Sequence, residues 1–223
     1  MKMAPVSLRQ RLRLTALAVA VLALAGCART VTVTLPPRVD LANYPAIGLV
    51  EFTSRPPRLG ADATRKFIDN LHGAQPGIRI LELGSQAAVL KEAGCGEELD
   101  FKAIKAIGDQ FGVAAVITGT VELSEPQSDV KFATDLKALS ANVKAKVDGR
   151  MSAKLWETAS GATTWSNSSW GNWTVGGLSL GSNGSVSGGY NYPREKQDQI
   201  LAALVRALNG EFWPSYEKRK VEE

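Results

Sequence analysis

Cysteine and histidine are nearly absent: the 223-residue chain holds two cysteines, Cys27 and Cys95, and one histidine, His72. A zinc site wants three or four N, S or O ligands at short spacings, so this inventory argues against a metal centre. Surplus charge is missing as well. The formal net charge of +4 equals the contribution of Lys2, Arg9, Arg11 and Arg13, which lie in a 26-residue leader without a single acid. Beyond the leader, acids and bases balance, and the sole basic cluster, Lys218-Arg219-Lys220, reads as a solvated end. A basic footprint for nucleic acid is therefore not indicated. Nor is a spanning helix indicated here, because the uncharged run Leu14–Gly26 has thirteen residues, against the ~20 that a bilayer requires.

What is there begins with an export signal. Four basic residues precede an uncharged segment rich in Leu, Ala and Val, and the segment stops at Leu24-Ala25-Gly26-Cys27. Those four residues resemble the lipobox of bacterial lipoproteins. The resemblance implies cleavage between Gly26 and Cys27 and acyl chains on Cys27. Two or three chains give near-permanent anchoring, since each buried CH₂ contributes about 0.8 kcal/mol. Ala28 follows the cysteine where inner-membrane retention would favour Asp, so the resemblance implies an outer-membrane destination. Lipidation consumes Cys27, leaving no disulfide within the chain. Cys95, in Ala93-Gly94-Cys95-Gly96, reads as an inert small residue.

The remainder is long enough for one domain. An extended tether or short edge strand (Val31, Val33, Leu35) leads to Pro36-Pro37, and the first buried strand is Ala46–Phe52. A helix over Ala61–Leu71 stacks Thr64, Phe67, Ile68 and Leu71 on one face. A strand follows at Ile78–Leu83, then a short helix from Ser85 to Leu90 that Gly94 ends. Asp100 caps a helix with Phe101, Ile104, Ile107 and Phe111 on one stripe, closed by Gly112. The continuous apolar run Val113–Val121 predicts a strand buried on both faces. Val143, Ala145, Val147, Met151, Ala153 and Leu155 alternate with polar residues, which predicts a long half-buried strand. Thr158–Gly161 turns the chain, and Ala162–Trp170 returns beside it. Pro193 opens a last helix bearing Ile200, Leu201, Leu204, Val205 and Leu208. The expected fold class is α/β (α+β): a mixed sheet of about five strands with helices packed on it, a late antiparallel hairpin and a long C-terminal helix. The expected organisation is a signal at 1–26, a lipidated tether at 27–43, one periplasmic domain at 44–219 with a Gly/Ser-rich segment at 171–192, and a tail at 220–223.

Catalytic motifs are weak. Gly177-Leu178-Ser179-Leu180-Gly181 matches G-x-S-x-G, but an elbow needs a buried strand before it, a helix after it and a downstream histidine, and His72 lies far upstream. Glu97-Glu98 reads as a solvated turn, and Gly181–Ser185 lacks the Lys-Ser/Thr of a phosphate loop. From Thr158 to Pro193, thirty-six residues carry no charged side chain, yet they include Trp165, Trp170, Trp173, Tyr190 and Tyr192. One reading is a flexible surface loop. The other is a contact surface for a subunit, a glycan or the membrane interface, with those five aromatics as candidate partner contacts. A hairpin turning at Ser182-Asn183-Gly184 has arms, Trp173–Leu180 and Val186–Tyr192, too short for a barrel strand.

Three phrases, Tyr44–Phe52, "FGVAAVITGTV" at 111–121 and "MSAKLWETASGATTWSNS" at 151–168, together with the element order, resemble the periplasmic lipoprotein family that includes CsgG, LpoB and the amino-terminal domain of TolB. The likeness spans roughly Tyr44 to Trp213 and is fold-like, not chemical. Functions in that family run from secretion pore to polysaccharide-export ring to synthase activator. The expectation is a non-enzymatic outer-membrane lipoprotein facing the periplasm, without cofactor or metal, that binds an envelope protein or glycan as a scaffold. The alternative is a homo-oligomeric, ring-forming subunit of a secretion or polysaccharide-export channel.

Overall fold

The structure is a computed structural model that describes residues 29–131, 142–180, 186–189 and 193–221. Gly26, Cys27, the Ser182–Gly184 turn, Tyr190 and Tyr192 lie outside the described residues. The chain divides into two compact units. In the smaller, β1 (Arg29–Leu35) pairs antiparallel with β9 (Ser215–Val221). The segment read as a tether or edge strand is thus a strand, and the basic Lys218–Lys220 end is its partner, with exposed side chains.

The larger unit, residues 37–213, is a mixed sheet with helices on it. Its strands are β2 (Ile47–Val50), β3 (Ile80–Gly84), β4 (Ala115–Leu123), β5 (Gln127–Lys131), β6 (Asn142–Glu157), β7 (Thr163–Leu180) and β8 (Val186–Gly189). They lie in the order β3-β2-β4-β6-β7-β8, with β5 also paired to β6. The strands beyond the expected five are the short β5 and β8. β2 runs parallel to β3 and β4, and every later pairing is antiparallel. The helices are α1 (Pro57–Ala74), α2 (Gln86–Glu92), α3 (Phe101–Phe111) and α4 (Arg194–Leu208).

Side-chain parity distributes these helices between the two faces. Ile47 and Leu49 of β2 join Ala115 and Ile117 of β4 and the inward residues of β6, and α1 and α4 cover them. Val50 and Val116, on the opposite face, pack under α2 and α3 with Ile104 and Ile107. All five apolar residues expected on α4 are buried, as are Thr64, Phe67, Ile68 and Leu71 of α1. Asp100 accepts a hydrogen bond from the Ala103 backbone N–H at 2.8 Å, the expected cap of α3. Gly112 ends that helix at φ 63°, in the left-handed region that favours glycine. Phe101 departs from the expected stripe: it is 55% exposed. It is the first residue after the cap, and the buried side of the helix starts at Ala103 and Ile104.

The two layers meet through aromatic rings and a short polar relay. Phe67 of α1 sits 5.0 Å from Phe52 and 6.5 Å from Phe212, and Phe212 lies 4.7 Å from Trp165. The Phe52 N–H donates to Thr64 Oγ1, which donates to the Gly60 carbonyl, both at 2.8 Å. This relay draws α1 so close to the end of β2 that a Cβ on residue 60 would fall 1.9 Å from the Phe52 carbonyl oxygen. Helix and strand cannot separate without exposing buried polar groups. The substitution Gly60→Ala is expected to lower stability by about 1–3 kcal/mol or more, as overpacking does. Thermal or urea unfolding followed by circular dichroism measures it.

Candidate functional site

The uncharged, aromatic-bearing stretch is mainly strand. From Thr163 to Leu180 it forms β7, paired with β6 along its length, and Gly177–Leu180 also pairs with β8. The loop reading is corrected for residues 171–180. Along β7, period two separates the tryptophans. Trp165 and Trp173 differ by an even number of residues and face the core, whereas Trp170 faces out. Trp165 is 6% exposed, its Nε1–H donates to Glu211 Oε2 at 2.8 Å, and its ring packs on Phe212. It is a core residue, which corrects its candidacy as a partner contact. Trp173 is half-buried against the same core, its ring over Gly171 and Gly149. Trp170 is 80% exposed.

The small polar residues of β7 have structural work on the inward side. Asn167 Nδ2 donates to the Leu208 carbonyl at 2.9 Å, and Ser169 Oγ donates to the Leu204 carbonyl at 2.9 Å. The first satisfies a carbonyl that the end of α4 leaves without an intrahelical partner. The absence of charge in this strand is thereby partly explained: it packs on a helix end.

The outward face of β4, β6 and β7 is built in rows by register. Glu122, Arg150 and Trp170 are consecutive cross-strand partners, and the next row is Thr120, Ser152 and Ser168. Thr120 Oγ1 and Ser152 Oγ share a hydrogen bond of 2.9 Å. One row the other way, Asn172 Nδ2 donates to Asp148 Oδ1 at 2.7 Å, and the Asp148 N–H donates to Ser124 Oγ at 2.9 Å. Helices α2 and α3 cover the β3-β2-β4 side of this face. The border of that cover is Trp156, whose Nε1–H donates to Thr118 Oγ1 at 3.0 Å under the Lys154 ammonium. Beyond it the face is open among the described residues. Against the loop that leads into α1 it forms a cleft of about 810 Å³ whose lining includes Arg55, Glu122, Asp148, Arg150 and Trp170. The alternation of β6 singled out Arg150 only as an outward residue. The parity of positions 165, 170 and 173 would have separated the tryptophans, had the strand been extended past Trp170.

A second cleft, about 860 Å³, lies at the carboxyl ends of β2 and β3, where the chain leaves for α1 on one face and α2 on the other. Phe52, Leu90 and Cys95 line it with Glu51, Gln86 and Glu97. Cys95 is a half-buried free thiol whose Sγ lies 3.5 Å from the Ala93 carbonyl. His72 is exposed in the last turn of α1, and Glu97 and Glu98 are exposed. Among the described residues no three His, Cys, Asp or Glu side chains cluster as metal ligands would. Gly177–Leu180 sits within β7, with Ser179 opposite Asn142 and Ser187, so the strand-turn-helix geometry of a nucleophile elbow is absent there. Among the described residues, no helix is long and apolar enough to cross a membrane.

No protein-family model matches this chain, and no curated protein matches it. Among solved structures, it is similar to the PelC dodecamer from Paraburkholderia phytofirmans, at 14% identity over 82% of this chain and 97% of that one, with a TM-score of 0.39. It is also similar to lipoprotein GNA1162 from Neisseria meningitidis, at 19% identity over 74% of this chain and 98% of that one, with a TM-score of 0.32. The LpoB C-terminal domain from Salmonella enterica matches at 10% identity over 62% and 84%, with a TM-score of 0.32.

The two outermost tryptophan environments make opposite predictions for stability. Trp165→Ala should cost about 3–5 kcal/mol, as large-to-small core changes do. Trp170→Ala should stay within about 0.5 kcal/mol of the parent. Urea unfolding of the two variants checks the assignment, and similar losses for both would contradict it.

Proposed function

We propose that this protein is a lipid-anchored module of the bacterial outer membrane that faces the periplasm and works by binding, as a scaffold in envelope assembly, with no catalytic step of its own. Acyl chains on Cys27 hold it to the bilayer, and the open β4-β6-β7 face is its dock. The observation that carries the docking half is Trp170: a large aromatic side chain, 80% exposed, beside Arg150 on the outward side of β7, where no helix covers the sheet among the described residues. A large exposed indole offers a flat contact area with a polar handle, which suits it to touching a partner. The anchoring half rests on the basic head, the apolar run and Leu24-Ala25-Gly26-Cys27.

A second reading, a ring-forming channel subunit, draws on the sheet edge. β8 is the last strand in the order and has a pairing partner on one side alone among the described residues. Such an edge is a template for a strand from another copy.

Cys27→Ser should move the protein from the membrane pellet to the soluble fraction, and intact-mass measurement of the parent should find acyl chains on the terminal cysteine. An unmodified parent, or a serine variant that still pellets, would contradict the anchor. Light scattering on the detergent-extracted parent separates the two readings: a monomer supports the docking module, and a closed multimer supports the ring.

A further inference from the structure

We propose that the cleft between the open sheet face and the loop entering α1 binds a strand of β-linked N-acetylated pyranoses, as in the glycan of the cell wall. This deepens the docking reading by naming the partner's chemistry, and it uses no property of the lipid anchor.

A pyranose chain offers two kinds of surface. Each ring has an apolar C–H face and an equatorial belt of hydroxyls, each both donor and acceptor, with no formal charge. A site for it needs a flat aromatic platform, flanking groups of both hydrogen-bonding senses, and no strong field. Trp170 supplies the platform: its ring is 80% exposed, and the negative face of an indole attracts polarised C–H bonds. Around it, Arg55 and Arg150 donate only, Glu122 and Asp148 accept only, and Thr120 does both. No ion pair among the described residues joins these four charged groups to one another or occupies either guanidinium. Arg150 and Glu122 are direct cross-strand partners beside Trp170, so a donor fork and an acceptor pair face the same ligand position. Pro56, Leu59 and Leu123 line the same cleft, which gives an acetamido methyl an apolar contact next to groups for its N–H and C=O.

Other occupants fit less well. Two guanidiniums against two carboxylates cancel the field that a polyanion would need. A protein hot spot is a packed apolar cluster, whereas Trp170 stands between Ser168 and Asn172 on its own strand and opposite Arg150. The cleft volume of about 810 Å³ falls in the ~300–1,000 Å³ range of ligand sites.

The test titrates the full mature protein in detergent with chitotetraose, following calorimetry and tryptophan fluorescence, with cellotetraose and polygalacturonate as comparison probes. Saturable binding of chitotetraose is expected, weaker with cellotetraose and weakest with polygalacturonate. Trp170→Ala should weaken it about tenfold or more, the effect of removing an anchoring aromatic, and Trp170→Phe should retain most of it. Glu122→Gln and Arg150→Gln should each weaken it severalfold, with circular dichroism unchanged. Intact sacculi should co-sediment the parent and not the alanine variant. Absence of saturable chitotetraose binding, binding indifferent to Trp170→Ala, or preference for polygalacturonate would overturn the proposal. Crosslinking of a protein through position 170 without saccharide binding would also overturn it while leaving the docking module standing. Because the saccharide arm does not require lipidation, a failed anchor and a failed glycan site give different results.

Discussion

Sixteen consecutive residues of β6 satisfy two environments at once, and that constraint organises the larger unit. Its odd-numbered positions from Ala145 to Leu155 are closed to solvent under α1 and α4, while Asp148, Arg150 and Lys154 are exposed. A one-residue slip would put Lys146, Asp148, Arg150 and Lys154 into the core. The register is therefore held by burial as much as by backbone hydrogen bonds. It fixes β7 in turn, because β7 pairs with β6 from Asn142 opposite Ser179 to Trp156 opposite Thr163, with register shifts only between Ala145 and Lys146 and between Leu155 and Trp156.

Packing on the inner face then follows from size. Gly149 and Gly171 are opposite each other on β6 and β7 and leave room for the Trp173 ring beneath α4. Asn167 and Ser169 give that helix hydrogen-bond donors where an apolar residue would leave its Leu208 carbonyl unpaired. The Phe52–Phe67–Phe212–Trp165 chain of rings ties α1, the end of β2 and the segment after α4 to the same sheet. Among the described residues nothing comparable covers the outer face past Trp156, and its composition shows why: rows of Ser, Thr, Asn and charged side chains of both signs give a helix no apolar surface to dock on. A face that is polar, flat and open, with one projecting indole, suits recognition better than further packing.

Much of this was legible in the sequence for a physical reason. The alternation of 143–155 and the spacing of the α4 leucines encode burial directly, so strand, helix and inward residues all emerge from period alone. Asp100 and Gly112 mark the ends of α3 because capping and a left-handed φ have few alternative solutions. The second half of β7 was not legible. Its Gly, Ser and Asn residues have poor intrinsic strand preference, and what makes Gly171–Leu180 a strand is the long template of β6 beside it, a tertiary fact. The same blindness made Trp165, Trp170 and Trp173 look alike, although one is core, one leans on the core and one is free. The charge balance of the cleft was equally hidden, because Arg55 reaches it from a loop about ninety-five positions away from Arg150.

The central claim is that the uncharged tryptophan-bearing segment is a structural strand that presents one side outward, not a loose tether. Hydrogen exchange on the intact protein tests it most directly. The amides between Trp165 and Val175 that donate to β6 should exchange as slowly as those of β4, requiring global opening. Exchange of that segment within seconds, at the rate of an unstructured chain while β4 stays protected, would contradict the account.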